Sequence, residues 1–149
     1  MAKKIIWVIT FLLISINVFS QSSLITSYLA GAFDGTSETL KFHYNDFTNV
    51  FPNNNPKYWN INQSWVNKYK NGDPNQGPKY FGSTTFLVWT TDGYHSMRFG
   101  RNTMIALTFT LYPRKKRNWK YHLFEAAKHT AAYHAGFWTT YEILYKGYR

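Results

Sequence analysis

A mainly α-helical single domain is the fold class the sequence predicts. Three observations carry it. Apolar residues recur at steps of three and four in three stretches, roughly 23–47, 84–112 and 118–146, which is helical spacing. An aromatic, Asn-rich stretch between the first two breaks every period. The 149 residues, 44% apolar and 20% aromatic, fit one domain with its own core, and such a composition excludes collagen and low-complexity disorder. With no cysteine in the chain, a disulfide scaffold is excluded too, and stability has to come from packing.

The N-terminus sets the compartment. Lys3 and Lys4 precede an apolar run from Ile5 to Phe19, and Ser20 follows, with Val18 at the minus-three position before Gln21. This order is that of a secretory signal peptide over residues 1–20, leaving 21–149 as a single helical domain. The run of about 15 apolar residues is short of the ~20 needed to span a bilayer, and no cysteine is present for lipid attachment. Export to the periplasm or outer envelope, with a membrane-associated position, is therefore expected. Removal of the leader takes two lysines from a net charge of +10 and leaves +8. Outside the cytoplasm, a basic surface meets anionic lipid head groups or acidic glycans, or an envelope protein, more often than nucleic acid.

In the first predicted helix, Leu29, Phe33, Thr36, Leu40, Tyr44 and Phe47 form the stripe, and Gly31 and Gly35 call for a packing or backbone-approach reason, since glycine weakens a helix. Nine asparagines between Asn49 and Asn75, with Pro52, Pro56, Pro74 and Pro78, make 48–82 a long loop that its aromatic residues can pin to the helices. The second helix carries Phe86, Trp89, Gly93, Met97, Gly100, Met104, Leu107 and Leu111, ends at Pro113, and runs into the basic turn Arg114, Lys115, Lys116 and Arg117. The third stripe runs from Trp119 through Leu123, Tyr133, Phe137 and Tyr141 to Leu144 and Tyr148. Charges interrupt both later helices, Asp92, Arg98 and Arg101 in one and Glu125, Lys128 and Glu142 in the other, so neither reads as a membrane span.

Three kinds of chemistry are conceivable. Asp92 and His95 at i,i+3, and His122, Glu125 and His129 at i,i+3,i+7, project from helix flanks that would form a metal or acid/base site if they faced each other. The alternative is a buried polar contact at Asp92 and His95, with Glu125 and His129 solvated or paired to Lys128. Asp34 and Glu38 at i,i+4, with His43 beyond, read more readily as a solvated face than as an acid/base pair. Trp59 and Trp65, with Lys68 and the surrounding amides, have the composition of a glycan-binding face, or of tryptophans anchoring a loop whose amides cap turns. No hydrolase, zincin or phosphate-loop motif is present, and no cofactor is predicted.

Several segments together, Ala30-Gly31 with Asp34-Gly35, His43 and Phe47, then Trp59-Asn60, Ser64-Trp65 with 67–73, 82–85, 91–95, and Gly136-Phe137 with Tyr141, carry a resemblance. The chain resembles a family of small exported or membrane-associated proteins of Bacteroidota and their phages, to which no activity is attached. The resemblance implies no catalytic residue. It implies that Asp34, His43, Trp65, Lys68, Asp92 and His95 belong to one recurring pattern, which makes them the site candidates. The expected function is a basic, non-enzymatic envelope protein that binds an anionic surface through Arg114 to Arg117. The alternatives are an acid/base or metal enzyme using Asp92 and His95, and a glycan-binding module using Trp59 and Trp65.

Overall fold

The computed structural model describes the backbone of residues 2–112 and 117–146, and the side chains of 22–112 and 117–145. Six α-helices lie within them: α1 (Ala2–Phe42), α2 (Tyr44–Val50), α3 (Pro56–Trp59), α4 (Ile61–Ser64), α5 (Gly93–Leu111) and α6 (Trp119–Lys146). The described residues form no strand, only an isolated antiparallel bridge between Tyr69 and Pro78. The mainly helical class is as expected, but six helices replace the three expected ones, and three boundaries move.

The first helix does not run from 23 to 47. Its helical backbone begins at Ala2 and breaks at His43, whose φ of −137° and ψ of 40° are not helical, and α2 restarts at Tyr44. Leu40, Tyr44 and Phe47 keep helical spacing across that break, which hid it. The second helix starts at Gly93 rather than at 84, because Asp92 is extended and its carboxylate accepts the His95 backbone N–H. The expected loop 48–82 holds α3, α4 and single 3₁₀ turns at 65–68, 70–72 and 74–76. Its asparagines start these elements: Asn55 accepts from the Lys57 N–H and Asn60 from the Asn62 N–H. Asp73 does the same for Asn75, and that backbone bond, with one from Gln76, holds its carboxyl below the usual carboxylate value.

α1 is the central element, with α5 and α6 packed along it and barely touching one another. Thr26 meets Thr108 and Asp34 meets Arg101, so α5 runs antiparallel to α1. Ser27 meets His129 and His43 meets Tyr141, so α6 runs parallel to it.

The α1–α6 seam is a backbone contact. A methyl group on Gly31 would sit 1.9 Å from the Tyr133 carbonyl oxygen, one on Gly35 2.6 Å from that of Phe137, and one on Gly136 1.9 Å from that of Tyr28. Glycines four apart on one helix and a glycine on the other let the backbones touch, the small-residue packing common between helices in lipid. Gly100 of α5 instead receives the Phe33 ring of α1.

Among the described side chains, the large apolar residues that are buried lie at one end. There Leu40, Phe47 and Leu144 form a cluster, with Tyr44, Val50, Trp59 and Met97 packed around it. Elsewhere the bundle buries Ala30 together with Ser23, Thr26, Ser27, Ser37 and Thr39. Within α1, Thr26 and Ser27 donate to the Ser23 carbonyl, Ser37 to that of Asp34 and Thr39 to that of Gly35.

Candidate functional site

The site candidates fall into separate sets, each with its own partners. Asp34, expected on a solvated face, is instead the tie between the three long helices. Its two carboxylate oxygens accept from Arg101 Nη1 of α5 at 2.7 Å and from the Tyr133 hydroxyl of α6 at 2.6 Å. Burial first, and then the neighbouring carboxylate, push the Tyr133 phenol up to about 12, so it stays a donor at every physiological pH. The arrangement fixes helix positions.

His43 stands at the α1–α2 break. Its Nε2 is 2.9 Å from the Tyr141 hydroxyl, its Nδ1 is 3.8 Å from Asp46, and its ring lies 4.2 Å from that of Tyr145. This set joins the end of α1 to the end of α6.

Asp92 and His95 do meet, within one helix turn. Asp92 is buried, and it receives the Thr91 hydroxyl, the His95 N–H and His95 Nδ1, the last at 2.7 Å. A carboxylate can only accept, so Nδ1 is the protonated nitrogen, and Nε2 has no partner among the described residues. This is a helix N-cap doubled by a side-chain bond. It also has the chemical form of a carboxylate-oriented imidazole.

The proposed histidine flank of α6 does not become a metal site. His122 Nδ1 bonds the Tyr112 hydroxyl at 3.1 Å, Glu125 pairs with Lys128 at 2.7 Å, and His129 turns to α1. Among the described residues no three histidine, aspartate or glutamate side chains converge on a point where a cation could sit.

His129 is not solvated, contrary to expectation. Its Nδ1 lies 2.8 Å from Ser27 Oγ, while Nε2 is buried without a partner in the described residues. Ser27, Thr108, Ile105 and Tyr133 surround a cavity of about 240 Å³ beside it. Burial lowers the His129 pKa, the Glu125 charge opposes this, and the Lys128 charge adds to it.

Trp59 and Trp65 form no common platform. Trp59 covers Gly93, where a methyl group would be 2.3 Å from the indole, and packs against Phe47. Trp65, 45% exposed, makes an edge contact with Tyr69, over whose ring Lys68 Nζ lies at 5.4 Å. Of the basic turn, Arg117 is exposed with its guanidinium 5.4 Å from the Tyr121 ring, while Arg114, Lys115 and Lys116 lie outside the described residues.

The feature that residue spacing did not single out is a surface. Ile25 and Leu29 of α1, Ile105, Leu107, Phe109 and Leu111 of α5, and Trp119, Leu123 and Phe124 of α6 are all exposed, Phe109 by 74%. The antiparallel and parallel pairings put them at the same end of the bundle, where α5 ends and α6 begins. Leu29, Leu107, Leu111, Trp119 and Leu123 belong to the expected stripes, which mark them as apolar without saying whether a neighbour covers them; Ile25, Ile105, Phe109 and Phe124 lie off those stripes. Small residues on α1 decide that they stay outside.

Comparison with protein-family models, curated proteins and solved structures finds no match to this chain.

Proposed function

We propose that the protein is a non-enzymatic, exported envelope protein that rests on an anionic membrane surface through the α5–α6 end of its bundle. The observation that carries this is the apolar collar: aliphatic and aromatic side chains exposed on three helices at one end, above an interior of small and hydroxyl residues. Exposed apolar area of this extent marks an interaction surface. Charge identifies the partner. Arg114, Lys115, Lys116 and Arg117 follow α5 in sequence, Lys120 lies on α6, and the whole chain carries +10. A lysine or arginine near an anionic leaflet contributes about 1 kcal/mol to binding, and tryptophan and tyrosine beside cations suit the head-group layer.

Among residues 22–112 and 117–145, no helix is long and apolar enough to cross a membrane. An interfacial position, apolar side chains immersed and cations at the phosphates, is consistent with that. The run Ile5 to Phe19 is the N-terminal part of α1, at the same end, so a leader still attached during export would hold this end at the bilayer. Sedimentation with vesicles tests the proposal. Binding to phosphatidylglycerol vesicles should fall steeply with salt and with Lys115→Glu plus Lys116→Glu, and phosphatidylcholine vesicles should bind little. Salt-insensitive binding, or none, would contradict it.

A further inference from the structure

Outside the collar, one cavity combines fixed polar groups with an aromatic wall. It holds about 330 Å³ on the outer side of α5, between that helix and the 85–89 segment, and is lined by Trp89, Tyr94, His95, Arg98, Phe99 and Asn102 among others. We propose that this cavity binds a sugar unit carrying an anionic group, a phosphate or a carboxylate.

His95, Arg98 or Phe99, and Asn102 follow one another at helical spacing along one flank of α5, so their side chains share a face. Asp92 accepts the Nδ1–H of His95, which fixes the ring and leaves the Nε2 lone pair to accept from a ligand hydroxyl. Arg98 is held from two directions by one residue: its Nη1 donates to the Tyr94 hydroxyl at 2.9 Å, and its guanidinium lies 5.7 Å from that ring. The Tyr94 bond, with the charges of Asp34 and Glu38, keeps Arg98 above the ordinary guanidinium value, so the cation is permanent. Its other N–H groups form no bond among the described residues, and a guanidinium suits the two oxygens of a phosphate or carboxylate. Asn102 Oδ1 accepts from Arg101, which leaves the amide Nδ2 to donate.

The apolar half of the site is equally ordered. Trp89 and Phe99 stack face to face, with centroids 4.5 Å apart and planes 14° apart, which fixes both rings and leaves an outer ring face to receive the C–H face of a pyranose. A permanent cation, an oriented imidazole, a free amide and an aromatic plane together match a charged sugar better than a bare anion, which would not use the wall. They also match it better than a neutral sugar, which would not use Arg98. The site is at the half of α5 away from the collar, and it needs no membrane.

The test is isothermal titration of the full chain without lipid, using glucose 6-phosphate, glucuronate, glucose and inorganic phosphate. Glucose 6-phosphate or glucuronate should bind about tenfold more tightly than glucose and inorganic phosphate, and which of the two binds better separates phosphate from carboxylate recognition. Arg98→Gln and Asn102→Ala, both at exposed positions, should each weaken that binding about tenfold or more with an unchanged unfolding curve. The proposal is overturned by glucose binding as well as its phosphate, by inorganic phosphate doing so, by wild-type affinity in Arg98→Gln, or by no saturation below about 10 mM. Because vesicles are absent, this outcome is independent of membrane binding.

Discussion

Both ends of the bundle expose large apolar side chains, but among the described residues only one of them also buries such side chains in a cluster. At the His43 end, Leu40, Phe47 and Leu144 are almost fully buried under Trp59 and Tyr44. At the α5–α6 end, Phe109, Leu123 and Phe124 stand in the open while Ser27, Thr26 and Thr108 fill the interior. At the first end α2 and α3 fold back over Leu40, Phe47 and Leu144, while Phe42, Phe51 and Ile143 stay exposed around them. The second has no such cover, and its glycine and hydroxyl seam holds the helices too close for large side chains to turn inward. Apolar content alone therefore does not define a core; the space between backbones does.

The seam is where this contrast is most easily broken. Gly31→Leu forces α1 and α6 apart at backbone level, and a loss of more than about 3 kcal/mol in urea unfolding is expected. A second comparison uses one substitution at both ends. Phe47→Ala should cost about 3 kcal/mol, toward the low end for phenylalanine because a cavity of about 620 Å³ already borders that ring. Phe109→Ala should change stability by no more than about 0.5 kcal/mol, while reducing vesicle binding. Equal costs at the two sites would remove the distinction between an end that buries such side chains and one that does not.

Asp92→Ala should cost about 1–2 kcal/mol, the value of a lost N-cap, and should fray the first turn of α5 by hydrogen exchange. The smallest effect is that of pH. Burial lowers the His129 pKa in the folded state, so the unfolded chain binds the proton more readily. Its share of stability is complete above the ordinary imidazole value, about 6.5, and is lost as pH falls through that value. His129→Asn should flatten this part of the stability–pH curve measured by thermal unfolding.

Much of the fold was legible from spacing. The third stripe, expected over 118–146, matches Trp119–Lys146, since nothing in it competes with the helical period. Gly31 and Gly35 pointed to a close approach that the seam shows. The start of α5 was hidden because Phe86 and Trp89 extend its period upstream, although Asp92 followed three residues later by His95 is a capping signal. The Asn-rich segment broke the period as expected, yet its asparagines cap short helices, which periodicity over longer windows does not detect.

The candidate sites were less legible. Residue type marked Asp34, His43, Asp92 and His95 as chemically capable, and in space they form three separate sets. Asp34 spends both oxygens on Arg101 and Tyr133, contacts that lie 67 and 99 residues away and leave no local trace. The collar was equally hidden, because a stripe gives a helix its apolar face without saying whether a neighbour covers it.

The absence of cysteine permits one decisive measurement with a single nitroxide label, at Phe109→Cys in the collar or at Phe81→Cys, 87% exposed in the opposite region. On addition of phosphatidylglycerol vesicles, the label at 109 should become accessible to oxygen and shielded from a water-soluble nickel chelate, while that at 81 remains in water. If the label at 109 stays in water, or is already immobilised by a second copy of the chain before vesicles are added, the open end does not face a membrane.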